Sequence, residues 1–515
     1  MHHTHHTQPS SRLTPDAPRA AWVGLIGSIA IAAGRLAWLA DADDKQATWW
    51  TARIRATLGE NTAGPLTVLG ACLLLLAWML LRTELGRPRR LAITFVCWVL
   101  PLLPLGGIMS SDPRYYADIG WSINHGHDPY STGLGTTGSP FPVGPTWHGT
   151  FAVYPALALR LFGWVVAVSG SDWYWSVVAM RALALAGVAL LALSLPVLAD
   201  QAGVDRRFVL WLGVFNPVTM LHGIGGAHID MLMVGMTAAA LALAVRYRSL
   251  IIGALAVGVA AAIKQPALLA AVPVALLTAP VTQRTWPRTI VRTAASVALA
   301  IASLVAVSWL TGFGMGWLRA ADTTYSIHTV GVGYLIGEAV RMGATALGLP
   351  TSAAFVDVAN TVVGALGYLL IVVLYFRYRH RPWQFLASAA LTWAIANGAF
   401  REWYLIYWLA FVALADLGPW MRRAVSVLVP FAMAYSAFKS YLGWNIMPAT
   451  YLCAAIALAA NARGWLLEAQ DSGQRPMGTD DTATLTDADP EPKAEPAPES
   501  EPAEAIAAQR PLESS

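Results

Sequence analysis

Apolar runs long enough to cross a bilayer recur along most of the chain, and short polar connectors separate them. Their number and spacing predict an all-α polytopic membrane protein with about 13–14 transmembrane helices. No soluble fold could cover this much apolar surface. The predicted spans are near 20–40, 63–82, 91–109, 174–198, 207–222, 228–246, 249–265, 267–280, 290–311, 353–376, 383–400, 403–417, 421–438 and 442–462.

Arginine placement predicts the orientation of these spans, because positively charged short loops stay in the cytosol. With both termini cytosolic and fourteen crossings, the arginine clusters near residues 82–90, 206–207, 246–248, 284–292, 377–381 and 422–423 all lie inside. If the apolar run 151–170 also crossed the membrane, most of the later arginine clusters would lie outside. We therefore expect it to lie along the interface or to enter without crossing, in keeping with Arg160 at its centre.

Composition supports this picture and separates two tails from the membrane body. The chain is 56% hydrophobic and 12% charged, with a net charge of +4, whereas soluble domains carry about 25% charged residues. Residues 1–19 and the acidic, proline-rich residues 466–515 are predicted to be disordered and cytosolic, leaving 20–465 as the membrane domain. The histidines of MHHTHH could bind a metal, but a disordered tail is the favoured interpretation. We expect no nucleic-acid partner.

Five polar segments fall on one side of the membrane under this topology, the extracytoplasmic face. They include the external loops 110–173 and 312–352. Functional residues favour such loops when a rigid scaffold holds them. The segments contain SSDPRYYADIGW with INHGHDPY, then FNPVTMLHGIGGAHID, AAIKQPALL, GMGWLRAADTTYSIH and GAFREWY.

The acids and histidines among them have two interpretations each. Asp112 follows an apolar span and alone would be a solvated helix terminus, but it begins a loop rich in acids and tyrosines. His222 and His228 flank three glycines and could be structural, substrate-binding or, with Asp230, ligands of a metal. We favour substrate binding over a metal site because no ligand spacing is recognisable.

Lys264, Arg401 and Tyr404 are the remaining candidates. Lys264 lies in apolar sequence beside Pro266 and either snorkels to the headgroups or meets a phosphate at the membrane surface. Arg401 either forms a surface ion pair with Glu402 or binds a phosphate through its two-pronged guanidinium. Tyr404 belongs either to an interfacial aromatic belt or to the wall of a sugar or isoprenoid site.

The ordered set SSDPRYY, GHDPY, WHGTFAVYP, FNPVTMLHGIGGAHIDMLMVG, AAIKQPALLAAVP, GMGWL and EWYLIYW resembles a known family. It is similar to the actinobacterial polyprenol-phosphomannose-dependent α-1,6-mannopyranosyltransferases of the GT-C superfamily, over residues 65–460. The sequence departs from the family at four places: Arg114-Tyr115 within the first motif, Tyr154-Pro155 without a preceding glycine, His228-Ile229-Asp230, and Glu402-Trp403-Tyr404.

The resemblance implies a GT-C-type bundle in the plasma membrane that moves mannose, with inversion, from polyprenyl-phosphate-mannose to a growing α-1,6-mannan. This mannan is the backbone of lipomannan and lipoarabinomannan. The resemblance makes Asp112 the catalytic base. The substrate-binding candidates are Tyr116, Asp128, Tyr130, His222, His228, Asp230, Lys264, Arg401 and Tyr404. No cofactor or metal is required, and a divalent metal is left open.

Two other functions stay open at this point. A related transferase could use another sugar or form another linkage. A transporter or flippase for lipid-linked sugars would also combine broken helices with intramembrane charge, but its charges should lie near the bilayer midplane. In this sequence they lie at span ends and in the external loops.

Overall fold

The computed structural model describes residues 18–37, 49–85, 88–145, 147–280, 285–324, 331–398, 400–415 and 418–441. Over these ranges the chain is helical and contains no strand. The predicted span 442–462, the tail 466–515 and nearly all of the N-terminal tail lie outside the described residues. The all-α membrane fold predicted from the apolar runs is confirmed by the helices that follow.

Each predicted span within the described residues contains a helix, but several of these helices are shorter than predicted and others lie between the spans. They are α1 Arg19–Ala37, α2 Trp49–Leu58, α3 Ala63–Thr83, α4 Pro88–Val99, α5 Asp112–Asn124, α6 Ala156–Val168, α7 Trp173–Ala202, α8 Arg206–Gly213, α9 Asp230–Tyr247, α10 Leu250–Ala261, α11 Ala271–Leu277, α12 Trp286–Leu310, α13 Trp317–Thr324, α14 Val332–Ala346, α15 Ala354–Arg377, α16 Pro382–Ala396, α17 Leu405–Val412 and α18 Pro419–Tyr441. A π-helical turn, Thr219–Gly225, and a 3-10 turn, Gln265–Ala270, interrupt two of the apolar runs.

Six of the described helices are long and apolar enough to cross a membrane: α1, α3, α7, α9, α12 and α15. Other predicted spans form shorter or interrupted helices. The run 91–109, for instance, gives only the 12 residues of α4 before a turn that contains Pro101, and 12 residues span about 18 Å. Proline explains this break and the one beside Pro266, because it removes a backbone donor and crowds the preceding turn.

The apolar run 151–170 forms α6, a helix of 13 residues packed against α5. At about 1.5 Å per residue it is near 20 Å long, shorter than a hydrocarbon core of about 30 Å. Arg160 on this helix donates to the carbonyl of Thr311, next to α12. That α6 does not cross the bilayer stays a prediction.

Small residues let the long helices approach closely. Gly187 of α7 and Gly235 of α9 face each other, and a Cβ on Gly235 would clash with the Gly187 carbonyl oxygen. Gly27 of α1 and Gly70 of α3 form a second close crossing. Small residues at crossings are typical of membrane helices, where van der Waals packing replaces the hydrophobic effect. The first crossing sets the position of α9, which begins at Asp230.

Two tryptophans join α3 to α8. Trp78 and Trp211 stack with ring centroids 4.5 Å apart, and each indole N–H donates to the other residue's backbone carbonyl, at 3.1 and 2.7 Å. Both rings are buried. The pair satisfies its own polar atoms and so can lie within the protein interior without water.

Helix α15 is the least covered of the candidate spans, with 11% of its most apolar window buried. Most of its exposed side chains are apolar, among them Val358, Leu366 and Leu369, while Asp357 and Arg377 lie near its two ends. A helix that is apolar on its exposed face fits contact with lipid tails. It packs on α14 and α16.

We expect Gly235→Ala to destabilise the fold, because the new methyl group must push α9 away from α7. Overpacking of this kind costs about 1–3 kcal/mol. Gly343→Ala in α14 is the matched control, because a Cβ there meets nothing within 4 Å. Thermal unfolding in detergent should show a lower midpoint for Gly235→Ala alone; equal midpoints would contradict the close packing of the two helices.

Candidate active site

Asp112 is the first residue of α5, and two side chains hold its carboxylate. Oδ2 lies 3.0 Å from Nδ1 of His228 and accepts from the hydroxyl of Tyr116 at 3.2 Å. The backbone N–H of Asp112 donates to Oγ of Ser110 at 3.1 Å. The first turn of a helix also favours negative charge. These contacts fix the carboxylate while its side chain stays 13% exposed.

The pKa of Asp112 is set by a competition between burial and nearby positive groups. Burial raises the pKa, because it disfavours the charged form, whereas His228, Arg401 and Lys264 lower it. The positive groups prevail, and the pKa lies below its usual range. The carboxylate is therefore ionised at neutral pH and available to accept a proton.

His228 is aimed at Asp112 by an unusual stretch of backbone. It follows the π-helical turn, Gly226 and then Ala227, whose φ of 51° is left-handed. Gly226 is needed for space, because a Cβ there would come within 2.8 Å of the imidazole. The ring stacks on Trp403 at 3.9 Å and is fully buried. Its Nε2 has no hydrogen-bond partner in the described part of the chain.

Lys264 and Asp230 form an ion pair beside the Asp112–His228 contact. Lys264 lies at the break between α10 and the 3-10 turn, and its Nζ is 2.6 Å from Oδ1 of Asp230. The Tyr407 hydroxyl donates to the same oxygen. The ammonium also lies over the rings of Tyr404 and Tyr154, 4.9 and 5.8 Å from their centroids. Asp230 is fully buried, whereas the lysine side chain is 14% exposed.

A tyrosine pair links the Asp112–His228 hydrogen bond to the Lys264–Asp230 ion pair. The Tyr154 hydroxyl donates to the Tyr116 hydroxyl at 3.4 Å, and their rings pack edge to face. Tyr116 contacts Asp112, and Tyr154 lies beneath Lys264. The structure thus brings residues from four of the five predicted polar segments, together with Tyr154, into one cluster, whereas the described part of the 312–352 loop contributes none of the side chains named in it.

Arg401 lies at the edge of this cluster. Its guanidinium is 5.7 Å from the Trp403 ring centroid and close enough to Asp112 to lower its pKa. Glu402 is buried, 3% exposed, so the interpretation of Arg401-Glu402 as a simple surface ion pair is wrong. Arg401 is partly exposed, and its charge acts on the Asp112 carboxylate together with that of Lys264.

Three predicted binding residues lie further from Asp112. The ring of His222 is 6.3 Å from that of Trp403, and its Nε2 pairs with Oγ of Ser436 at 2.9 Å. Tyr130 donates its hydroxyl to the Tyr154 carbonyl at 2.8 Å and so supports the cluster from behind. Asp128 is exposed and accepts from the Tyr130 N–H at 3.0 Å, which closes a turn. A substrate contact for any of them stays a prediction.

Among the described residues, the His, Cys, Asp and Glu side chains form no group of three or more that could hold a metal. Asp230 bonds to Lys264 and His222 to Ser436. The alternative metal site of His222, His228 and Asp230 does not form in this arrangement.

Sequence reasoning missed Arg181 and undervalued two aromatic residues. Arg181 is buried in α7 and donates hydrogen bonds to backbone carbonyls of the segments that lead to Asp112 and His228. An ionisable residue within apolar sequence is the signal that singled out Lys264, and the same signal applies to Arg181. In the sequence, Trp403 belongs to the same aromatic run as Tyr404, which could be an interfacial belt, and Tyr154 is only a departure from the family motif. The fold shows that Trp403 stacks on His228 and that Tyr154 lies beneath Lys264.

The cluster offers an ionised carboxylate, two cations and an aromatic wall at one place. A fixed carboxylate can take a proton from a hydroxyl within hydrogen-bond reach. Fixed cations can stabilise an anionic leaving group. Aromatic rings can cover a sugar ring or a lipid chain. This combination suits group transfer from a phosphate ester to a hydroxyl.

Comparison with known proteins identifies similar chains. A family model described as "Alpha-(1->6)-mannopyranosyltransferase, N-terminal domain" matches residues 21–280. Alpha-(1->6)-mannopyranosyltransferase A of Corynebacterium glutamicum is 26% identical over 405 residues, covering 72% of this chain and 80% of that protein. The protein of the same name from Mycobacterium tuberculosis is 32% identical over 265 residues, covering 49% and 51%.

A search of solved structures finds the oligosaccharyltransferase of Archaeoglobus fulgidus, with a TM-score of 0.32 and 12% identity. The match covers 80% of this chain and 56% of the other. The score is too low to support a structural argument.

We expect Tyr407→Phe to destabilise the protein, because buried Asp230 loses a hydrogen-bond donor. Loss of one partner of a buried charged group costs about 1–3 kcal/mol. Tyr375→Phe is the matched control, because the Tyr375 hydroxyl makes a longer, half-buried bond of 3.3 Å to Thr293. Thermal unfolding of both variants checks this, and an equal shift would show that Tyr407 does not support the ion pair.

Proposed function

Because the matching family model covers half of this chain, the chain belongs to the alpha-(1->6)-mannopyranosyltransferase family, and we propose that its donor is polyprenyl-phosphate-mannose and its acceptor a growing α-1,6-mannan. This mannan forms the backbone of lipomannan and lipoarabinomannan. One observation carries the proposal: the ionised Asp112 carboxylate is held by His228 and Tyr116 beside the cations Lys264 and Arg401.

The reaction is a single displacement with inversion, from a β-linked donor to an α-linked product. The acceptor's 6-hydroxyl oxygen forms a bond to the anomeric carbon while the bond from that carbon to the phosphate oxygen breaks. The hydroxyl proton passes to Asp112, and polyprenyl phosphate leaves with the electron pair. One base and no covalent intermediate on the protein suffice for this chemistry.

Asp112 is the base. Within the described residues, the hydrogen bonds to its carboxylate both go to Oδ2, which leaves Oδ1 to accept the proton of the acceptor. His228 orients the carboxylate through Nδ1, and Trp403 holds the imidazole by stacking. A positioned base of this kind contributes about 10²–10⁴-fold to a rate.

Lys264 and Arg401 bind the donor phosphate. An ammonium has three N–H donors, and Asp230 occupies one of them, so two are left for phosphate oxygens. Arg401 adds a guanidinium, which pairs with phosphate in a two-pronged geometry. When the phosphate neutralises these cations, they lower the pKa of Asp112 less strongly, and the carboxylate becomes a better base as the donor binds.

The apolar part of the donor needs a groove that opens to the bilayer. We expect the short elements α10, the 3-10 turn and α11, which are broken beside Lys264, to line this groove. The aromatic rings of Tyr404 and Tyr154 cover the sugar. Tyr130 supports Tyr154, and Asp128 closes the turn that presents Tyr130.

We place this site on the extracytoplasmic face of the plasma membrane, with both termini in the cytosol and residues 20–465 as the catalytic domain. The support is the arginine pattern of the short loops. A transferase for another linkage or sugar would use the same groups, and the product decides between them.

Asp112→Asn should lower kcat by at least about 100-fold with polyprenyl-phosphate-mannose and a short α-1,6-mannoside, because an amide cannot accept the proton. Asp200→Asn is the control, since Asp200 forms an exposed pair with Arg206 far along α7. Linkage analysis of the product and the rate from membranes measure the outcome. Near-full activity of Asp112→Asn would remove this residue from its role. Failure of the parent chain to transfer mannose from polyprenyl-phosphate-mannose would remove the donor assignment, and a linkage other than α-1,6 would remove the linkage assignment.

The orientation has its own test. In a protein without native cysteines, Ser131→Cys in the loop after α5 should react with an impermeant thiol reagent added to whole cells. Arg246→Cys near the end of α9 should react only after permeabilisation. Both side chains are exposed. The reverse pattern, or labelling of Ser131→Cys from both sides, would contradict an outward-facing site.

A further inference from the structure

Arg181 is a charged side chain buried inside the apolar helix α7, only 2% exposed. Its guanidinium donates five hydrogen bonds, all to backbone carbonyl oxygens. Nε donates to Ile224 at 2.8 Å, Nη1 to Leu103 at 2.8 Å and Leu105 at 2.7 Å, and Nη2 to Gly106 at 3.1 Å and Gly225 at 2.9 Å. Burying a cation is costly unless such bonds compensate.

These carbonyls belong to two irregular segments, 103–106 and 224–225. The first follows a proline-containing turn and the second ends the π-helical turn. Carbonyls at such helix ends lack the backbone donor that a continuing helix would supply. A guanidinium presents five N–H groups in a rigid plane, and here it serves both segments at once.

Each segment leads directly to one member of the Asp112–His228 pair. Two residues past the first segment, the Ile108 N–H donates to the Gly225 carbonyl at 3.0 Å, so the two stretches of chain also bond to each other. Beyond this contact each passes through a non-glycine residue with left-handed backbone, Met109 (φ 55°) and Ala227 (φ 51°). Such conformations cost about 1–3 kcal/mol and persist only where the surroundings hold them.

We propose that Arg181 is a positioning residue, a clamp that holds the two segments in the register that brings Asp112 and His228 into hydrogen-bond contact. The clamp is a feature of the fold; its effect on rate rests on the proposed function. Arg181 touches neither donor nor acceptor, and it acts on the transfer step through Asp112.

Arg181→Lys keeps the charge but loses the planar fork, because an ammonium is a point charge with three donors. A misplacement of about 1 Å can cost about 100-fold in rate, so we expect a 10- to 100-fold loss in kcat. The KM for the donor should change less than about twofold, because Lys264 and Arg401 are untouched. A change in KM alone would contradict the proposal.

A double-mutant comparison isolates the route of the effect. If Arg181 acts through Asp112, Arg181→Lys should leave the slow rate of Asp112→Asn nearly unchanged. Gly107→Ala perturbs the chain just after the first segment while Arg181 stays intact, because its Cβ would clash with the Ser110 carbonyl. Like Arg181→Lys, it should lower kcat when residue 112 is Asp and have little effect on the slow rate of Asp112→Asn. If Arg181→Lys lowered kcat by the same factor with Asp112 and with Asp112→Asn, the effect would be a general structural one and the proposal would be overturned.

Arg292→Lys is the matched control. Arg292 is a partly buried arginine of α12 that donates to Oγ1 of Thr278, and it contacts neither segment. Any effect of this change on rate should be the same with Asp112 or Asn at position 112. A dependence on position 112 as strong as that of Arg181→Lys would mean that the comparison reports no specific clamp.

A disulfide can replace the clamp. A Cβ on Gly225 would lie 3.6 Å from the Cβ of Ile108, within the range of about 3.5–4.5 Å that disulfides use. We would introduce Ile108→Cys and Gly225→Cys, with Arg181 or Arg181→Lys, after changing the native Cys72, Cys97 and Cys453 to alanine.

Oxidation should form this disulfide faster in the protein with Arg181 than in the Arg181→Lys variant. Once oxidised, the Arg181→Lys variant should reach most of the kcat of the protein with Arg181, and reduction of the disulfide should remove this gain. Equal cross-linking rates would overturn the clamp, and absence of kcat recovery in the cross-linked lysine variant would overturn its action through Asp112. Cross-linking needs no activity. A parent chain that transfers no mannose would therefore refute the proposed function while the cross-linking rate still decides the clamp.

Discussion

The site depends on one constraint: backbone carbonyls that leave helical geometry inside the protein need hydrogen-bond donors from elsewhere. Water is scarce at this depth, so an unmet carbonyl costs free energy. Arg181 meets five of them with one side chain. This lets the chain leave regular helix at two places that face each other, and the freed segments carry a carboxylate and an imidazole into contact.

Charge balance is the second principle of the site. Asp112 and Asp230 are each matched by a basic partner, His228 and Lys264. The partly exposed guanidinium of Arg401 adds positive charge beside the carboxylate of Asp112. The phosphate of the proposed donor would bind beside these two permanent cations, Lys264 and Arg401.

The sequence predicts the membrane fold and the membership of the cluster well, because long apolar runs and ionisable residues within them are local signals. It does not predict how the groups pair. That Lys264 faces Asp230, or that Trp403 stacks on His228, follows from helix crossings such as Gly187 against Gly235. Such crossings join residues far apart in the chain, and no local pattern encodes them. The sequence also underestimates the breaks within apolar runs, because residues in the π-helical and 3-10 turns are as apolar as those of an unbroken span.

Helix α15 contacts little of the rest of the protein yet carries α14, part of the 312–352 loop, on one end. Its 24 residues span about 36 Å, enough to cross a hydrocarbon core of about 30 Å with some tilt. The most apolar window of α15 is 11% buried, against 44% in α7 and 61% in α9, so lipid contacts take a larger share in positioning α15 than in positioning the helices of the cluster. Because α14 packs on α15, part of this loop is held by the least protein-bound of the candidate spans.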